Sequence, residues 1–334
     1  MRHTPPLILM ALAFGQTAAA ADAPVPAVAA STLATGGDHI RQFAFDDDPA
    51  TYFQSAGNAT QADHFTLTFD APVAVRSVRV TTGRPEGGDA LDRGTLEGSA
   101  DGKTFEPLVA FAAGTAQAAP AGRKLVALRV RPAADLAHPL VIREIAVTSD
   151  PAVVTFKYPV EFRVSSEDPE LTAWAEKAGG ICERQYAMIC EALQSDGFMP
   201  RTTVSLTLRN NYNGVAAAGG GRITGSVRYF KAHPEDFGAM VHETVHVVQS
   251  YRTRGNPGWL VEGIADYVRF YRYEKDPRPP PRPDRARYDG SYRVTARFLN
   301  YVAEKYDKDL VRKLNTAMRE GEYKPELWQA LTKK

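Results

Sequence analysis

The chain has 334 residues, which exceeds one typical core and predicts two domains. Its 44% hydrophobic residues are ordinary for a globular protein, and a formal net charge of +1 removes any whole-chain reason to expect nucleic acid or an anionic membrane as partner. Two cysteines, Cys182 and Cys190, leave stability to packing rather than to a disulfide framework.

Arg2 precedes the apolar run Leu7–Phe14, and small residues follow from Thr17 to Ala21. A charged start, an apolar stretch too short to span a bilayer and a small-residue cleavage point predict a signal peptide over 1–21. Cleavage is expected near Ala21–Asp22, giving a secreted or periplasmic protein. No Cys sits there for lipid attachment, and no later apolar run is long enough to form a membrane span. Residues 22–31, rich in Ala, Pro and Val, read as a flexible lead-in.

From about Thr32 to Ser149 the pattern is all-β. Phe65–Phe69, Val73–Val80 and Leu125–Val130 alternate apolar and polar, Ile142–Val147 closes the set, and turn signals such as Ala100-Asp101-Gly102-Lys103 separate the runs. Short strands at this spacing predict a sandwich or barrel over 32–150. Residues 44–53 (Ala-Phe-Asp-Asp-Asp-Pro-Ala-Thr-Tyr-Phe), 96–105 (Leu-Glu-Gly-Ser-Ala-Asp-Gly-Lys-Thr-Phe) and Arg143-Glu144-Ile145 together resemble a discoidin-type jelly-roll module. The resemblance implies a carbohydrate or lipid-headgroup ligand and a structural Ca²⁺. Asp46, Asp48 and Thr51 in the matching loop, with Glu144 from the last strand, are the oxygen donors a hard cation takes. The alternative is a solvated turn whose Asp side chains cap their own backbone. Tyr52, Phe53 and His64 are candidates for a sugar platform at the loop end, or for core.

After Val153 the style changes. Thr155–Val164 reads as one strand, and Asp168-Pro169-Glu170 opens a helix running to Leu193. Within it Cys182 and Cys190 are eight residues, about 12 Å, apart and beyond disulfide reach, so they read as two buried thiols unless Gly179-Gly180 ends the helix early. Val204–Leu208 and Arg222–Val227 read as strands. Helices are expected over Pro234–Arg252, Trp259–Tyr271, Tyr292–Lys305 and Asp307–Glu320, with a Pro-rich loop at Arg278–Pro283. The fold class expected is therefore multidomain: an N-terminal jelly-roll sandwich followed by an α+β domain over 151–334.

The chemistry concentrates in His242-Glu243-Thr244-Val245-His246. Residues four apart share a helix face, so both imidazoles can point at one ion, while Glu243, about 100° round the helix, reaches a water on that ion rather than the ion itself. This is the pattern of a zinc hydrolase site with a general base. Val241, Val245 and Val248 are left to bury the opposite face. Glu262 and Asp266, four apart on the next helix, compete for the third ligand position. Their Glu-x-x-Ala-Asp arrangement resembles the gluzincin pattern, which implies Glu262 as zinc ligand and Asp266 bracing an imidazole; Asp266 as ligand stays open. Only fifteen residues separate His246 from Glu262, so the turn at Gly255-Asn256-Pro257-Gly258 must be tight.

Residues 215–224, His242–Gln249, Gly258–Arg269 and Tyr292–Leu299 together resemble the basic secretory protein family of plant and bacterial peptidases, over about 156–330. The resemblance implies a zinc-dependent, zincin-like peptidase domain. Val215–Val227 is a candidate edge strand for an extended peptide, or a surface hairpin. Tyr267 or Tyr292 is a candidate hydrogen-bond donor to the tetrahedral intermediate, or a buried helix tyrosine; of the two, Tyr292 is the expected donor. Trp259 is expected in the core, and His233 as the lead into the active-site helix.

The function expected is an exported zinc endopeptidase acting on peptide or protein through a metal-bound water, Glu243 being the base, with a carbohydrate-binding targeting module. The alternatives are a catalytically weak cell-wall-binding protein that uses the zincin domain as scaffold, and an exported metal-binding or inhibitor-type interaction protein. Glu243 favours the enzyme, since a purely structural zinc site has no use for that acid.

Overall fold

The computed structural model describes residues 23–252, 255–275, 286–290 and 292–334. The expected signal peptide over 1–21 and the Pro-rich loop at 278–283 lie outside the described residues.

The N-terminal half is antiparallel β: β1 (Ala27–Ser31), β2 (Phe53–Asn58), β3 (Phe65–Thr82), β4 (Gly94–Ser99), β5 (Glu106–Ala110), β6 (Thr115–Ala118), β7 (Arg123–Pro132) and β8 (Pro139–Asp150). The order is β2-β8-β3-β7-β4-β5, with β1 and β6 also paired to β3. The two alternating runs expected as separate strands are one 18-residue strand, β3. Its start, Phe65–Phe69, lies between β1 and β7, and its end, Val78–Thr81, between β8 and β6. The join, Asp70-Ala71-Pro72, is exposed and falls where the β7 register shifts, so Pro72, without an N–H, costs no ladder bond. The buried set moves from Val73 and Val75 to Val78 and Val80 across a second register shift, against β8, which keeps both runs facing the core.

The lead-in over 22–31 is a correction. Residues 27–31 form β1, Ala29 is buried, and Val25 exchanges backbone hydrogen bonds with Ala152 and Val154 at 2.8 and 2.9 Å. Small apolar residues there close one flank of β3, a tertiary role that local composition does not encode.

The C-terminal half opens with β9 (Glu161–Ser166) rather than a strand from Thr155. Pro159 supplies no N–H, and Phe156 instead packs edge-on against Phe45 of the β-domain at 6.0 Å. A short 3₁₀ turn, Pro169–Leu171, leads into α1 (Thr172–Ala192). The glycine pair does not end that helix. A side chain on Gly179 would sit 2.6 Å from Val164 Cγ2, so glycine is what lets α1 lie close on β9. Cys182 and Cys190 are buried free thiols on α1, pushed up to about 12 by burial and hence inert.

β10 (Thr203–Arg209), β11 (Ala216–Gly219) and β12 (Arg222–Ser226) complete a sheet ordered β11-β12-β10-β9, parallel except for the antiparallel edge strand β11. The helices that follow are α2 (Val227–Ala232), α3 (Gly238–Gln249), α4 (Gly258–Tyr267), α5 (Tyr292–Lys305), α6 (Leu310–Glu320) and α7 (Leu327–Thr332), with a π-helical turn at Val268–Tyr273 continuing α4. α3 starts four residues later than expected because Asp236 accepts the Ala239 N–H at 3.2 Å and sets its first turn. It ends at Ser250, which is left-handed, and Arg319 caps its last carbonyls at Val248 and Gln249.

A polar seam joins the halves. Arg41 pairs with Glu161 at 2.9 Å and Glu183 at 3.0 Å, and Thr35 donates to Glu161 at 2.7 Å. Gln42 Oε1 accepts the Val160 N–H at 2.9 Å, and Glu183 Oε1 accepts that of Phe162 at 2.8 Å. Burial pushes the Glu183 carboxyl up to about 7 despite Arg41 beside it. Among the described residues no helix is long and apolar enough to cross a membrane.

Candidate metal centre

The HExxH segment lies on α3, whose Met240, Val241, Val245 and Val248 are buried against the sheet and α1. The opposite face brings His242 and His246 to the floor of a cleft of about 1230 Å³ between α3, β11, α4 and the start of α5. His242 Nε2 and His246 Nε2 are 3.0 Å apart, and each lies 3.2 Å from Glu262 Oε2 on α4. Among the described residues this is the one group of three metal-ligating side chains whose donor atoms lie within 4.8 Å of one another.

The outer nitrogens fix the ring tautomers. His242 Nδ1 donates to Asp266 Oδ1 at 2.7 Å. His246 Nδ1 donates to Gln249 Oε1 at 2.7 Å, and Gln249 Nε2 donates to the Val261 carbonyl at 2.9 Å, which fixes the amide's orientation. Both Nδ1 atoms therefore carry protons, and both Nε2 lone pairs aim at the point faced by the Glu262 carboxylate. Asp266 thus stands behind His242, away from the three converging atoms. Gln249 was missed as a site residue from sequence; its signal is its place three residues after His246 on the same helix.

A cation fits this donor set. Tetrahedral coordination at about 2.0–2.2 Å separates ligand atoms by roughly 3.3 Å, close to the spacings here, and two imidazoles with one carboxylate suit zinc better than a hard cation. The electrostatics agree. Burial opposes charge on His242, but hydrogen bonds to Asp266 and Glu262 outweigh it and raise the imidazole to about 9. Burial likewise pulls Glu262 up, and the two imidazoles overcome it, holding the carboxyl down at about 2. A surplus of buried negative charge calls for a positive one, and a metal ion displaces protons to supply it.

Glu243 is buried beside the triad; burial raises its carboxyl, while both imidazoles and a backbone hydrogen bond from Ala218 in β11 pull the other way. Tyr292, half-exposed on the first turn of α5, has its ring 6.1 Å from that of His242. The negative charge of Glu262, then burial, pushes its phenol up. Tyr267 is buried, stacked on Tyr271 at 5.9 Å, so Tyr292 is the one of the two that borders the cleft. Trp259 is only half-buried, in an aromatic cluster with Tyr288 and Trp328.

The acidic loop of the β-domain is arranged differently. Thr51 Oγ1 donates to Asp46 Oδ2 at 2.9 Å, and Asp48 Oδ1 accepts the Ala50 N–H at 2.9 Å, the turn-capping arrangement. Glu144, from β8, faces this loop with both carboxylate oxygens buried and without a hydrogen-bond donor. Phe53 is fully buried, which removes it from any sugar platform; the core claims it because it opens β2 opposite Ile142. His64 is half-buried with Nδ1 3.2 Å from the Thr66 hydroxyl, and Tyr52 stacks on His39 at 4.0 Å.

The family described as a peptidase of plants and bacteria, BSP, matches residues 171–334. The α+β half carries a BSP domain. Among solved structures, the chain is similar to the CBM32-1 module of a family 31 glycoside hydrolase from Clostridium perfringens, at 14% identity over 36% of this chain and 92% of that one, with a TM-score of 0.33. It is also similar to a CBM32 module from the same organism in complex with GalNAc-β-1,3-galactose, at 14% identity over 36% and 94%, TM-score 0.31. A chitosan-binding module of a Paenibacillus chitosanase/glucanase matches at 15% identity over 36% and 93%, TM-score 0.31. These likenesses concern fold alone. No curated protein matches the chain. The BSP domain contains every residue of the cleft described above.

Proposed function

We propose that the BSP domain is a zinc-dependent peptidase of an exported protein, with zinc held by His242, His246 and Glu262. The observation that carries this is the convergence of two Nε2 atoms and one Oε2 within 3.2 Å, beside a buried, unligated carboxylate, Glu243. When bound, zinc supplies Lewis acidity toward a water molecule and a peptide carbonyl. β11, the sheet edge along the cleft, offers backbone groups to an extended peptide. Glu243 accepts the proton of the attacking water and delivers it to the leaving amine, its raised carboxyl suiting both tasks. Tyr292, kept protonated, donates to the oxygen where charge develops. Metal quantification on purified protein, with peptide hydrolysis abolished by a chelator and restored by zinc, tests the reading; a chain without stoichiometric metal overturns it.

Asp266 and Gln249 position the two imidazoles. Gln249→Ala frees the His246 ring and is expected to weaken zinc affinity by about 10- to 100-fold with little change in fold. Competition with a chromophoric chelator measures it, and unchanged affinity removes Gln249 from the site.

For the β-domain we propose a Ca²⁺ at Asp46, Asp48, Thr51 and Glu144 and a carbohydrate ligand near Tyr52, so that this half targets the peptidase. Burial, then the Asp46 and Asp47 charges, pushes Glu144 up to about 7, and burial pushes Asp46 up to about 6. Both groups bind protons more tightly folded than unfolded. Stability without calcium therefore falls as pH rises from about 4 through 7, and Ca²⁺ restores it. The full chain should show a Ca²⁺-dependent rise in thermal midpoint that is larger at pH 8 than at pH 5, with soluble polysaccharide adding a further rise. A midpoint indifferent to Ca²⁺ at both pH values overturns the cation site, and one indifferent to polysaccharide overturns the sugar ligand.

A further inference from the structure

We infer that the cleft selects peptides with acidic side chains flanking the bond to be cut; this rests on the peptidase reading above and adds its substrate class. Three of the cleft's four carboxylates are engaged, and the fourth, Glu243, is buried at its floor. Asp236 pairs with Arg269 at 2.5 Å and accepts the Tyr229 hydroxyl at 2.8 Å, Asp266 faces His242, and Glu262 faces both imidazoles. Three arginines of the same cleft are not. Among the described residues, Arg201, Arg252 and Arg293 have no carboxylate within ion-pair distance. The cleft's four arginines and four carboxylates balance in number, but Arg201, Arg252 and Arg293 are exposed while the carboxylates are buried or half-buried, so the positive charge belongs to the rim.

The three guanidinium groups stand at both ends of α3. Arg252 follows its C-terminus. Phe198, three residues before Arg201, lies at the same end, since Arg319 sits 3.6 Å over its ring while donating to Val248 O and Gln249 O, and Arg201 lines the cleft from there. Arg201 lies over Gly221 through Cδ, Nε and Cζ, and its carbonyl accepts the Tyr186 hydroxyl at 2.9 Å, so its backbone is anchored. Arg293, next to Tyr292, lies 4.4 Å over the Phe270 ring on the opposite side. A peptide laid along β11 across the metal site passes between positive charges on both flanks. Arginine suits bidentate recognition of carboxylates. Because these side chains are exposed, their effect belongs in encounter and affinity, and it is screened by salt.

The test compares two fluorescence-quenched peptides of equal length, cut by the zinc-loaded full chain. One has Glu and Asp on both sides of the cleavage site, the other Gln and Asn. The acidic peptide should show a kcat/KM higher by about tenfold at low salt, mostly through KM, and the ratio should approach one at about 1 M NaCl, where the Debye length is about 3 Å. Arg252→Gln and Arg293→Gln should each lower that ratio by about threefold, while Arg76→Gln, outside the cleft, leaves it unchanged. A wild-type ratio of one or less at low salt overturns the inference and leaves the peptidase reading standing. Cleavage of neither peptide overturns the peptidase reading. The inference is then decided by fluorescence anisotropy of the same peptides on zinc-loaded Glu243→Gln protein, where equal binding of the two rejects it and tighter binding of the acidic one supports it.

Discussion

Glu243→Gln is expected to keep one zinc per chain and to lower kcat by about 10²- to 10⁴-fold, the range that a positioned acid-base group contributes. The amide is isosteric with the carboxylate and replaces a side chain that is buried but outside the His242–His246–Glu262 group, so the ligand geometry stands. What is lost is a proton acceptor between the metal site and β11. Because that interaction operates in the transition state, kcat and kcat/KM should fall together with KM little changed. Steady-state kinetics with metal analysis on the same preparation measures both. Activity within a factor of about three of wild type would remove Glu243 from the chemistry, and loss of zinc would place it among the ligands.

The second large effect is structural. A Cβ at Gly263 would lie 2.1 Å from Thr295 Cγ2, at the closest approach of α4 and α5. Thr295 is buried and held, its hydroxyl donating to the Tyr288 carbonyl at 2.6 Å. Gly263→Val must therefore push the two helices apart. Overpacking of this kind costs about 1–3 kcal/mol or more, so the thermal midpoint of the BSP domain should drop by roughly 5–10 °C. Glu262 is the preceding residue and Tyr292 sits on the displaced helix, so zinc affinity and activity should fall as well. Thr295→Ala removes the obstructing methyl group and should recover part of the loss in the double variant. A valine variant as stable as wild type would show that this interface has room to spare.

The shared face of His242 and His246, with Glu243 beside it, was legible in the sequence because a helix converts spacing into direction: residues four apart must share a face. The buried side of α3 followed from the same rule. Spacing alone left Glu262 and Asp266 both open, and Glu262 came from the resemblance. Gln249 was not legible, since a glutamine three residues after a histidine is common, and only the Val261 carbonyl on α4 gives it an orientation. Helices with a strong apolar stripe were placed well, as with Tyr292–Lys305. α2 was missed because Val227–Ala232 continues an apparent strand, and what turns it is the Ser226 hydroxyl accepting the Tyr229 N–H at 3.3 Å. The joining of two runs into β3 and the recruitment of Ala27–Ser31 depend on partners dozens of residues away, which local periodicity does not report.

The sheet of the BSP domain has two margins, and they have opposite fates. β11 is open to the cleft. At the start of β9 the N–H groups of Val160, just before the strand, and of Phe162 are already taken by Gln42 and Glu183. Bare strand margins recruit other chains, so Gln42 of the β-domain and Glu183 of α1 together blunt the start of this margin. The opposite margin, β11, runs along the cleft that holds His242, Glu243 and His246.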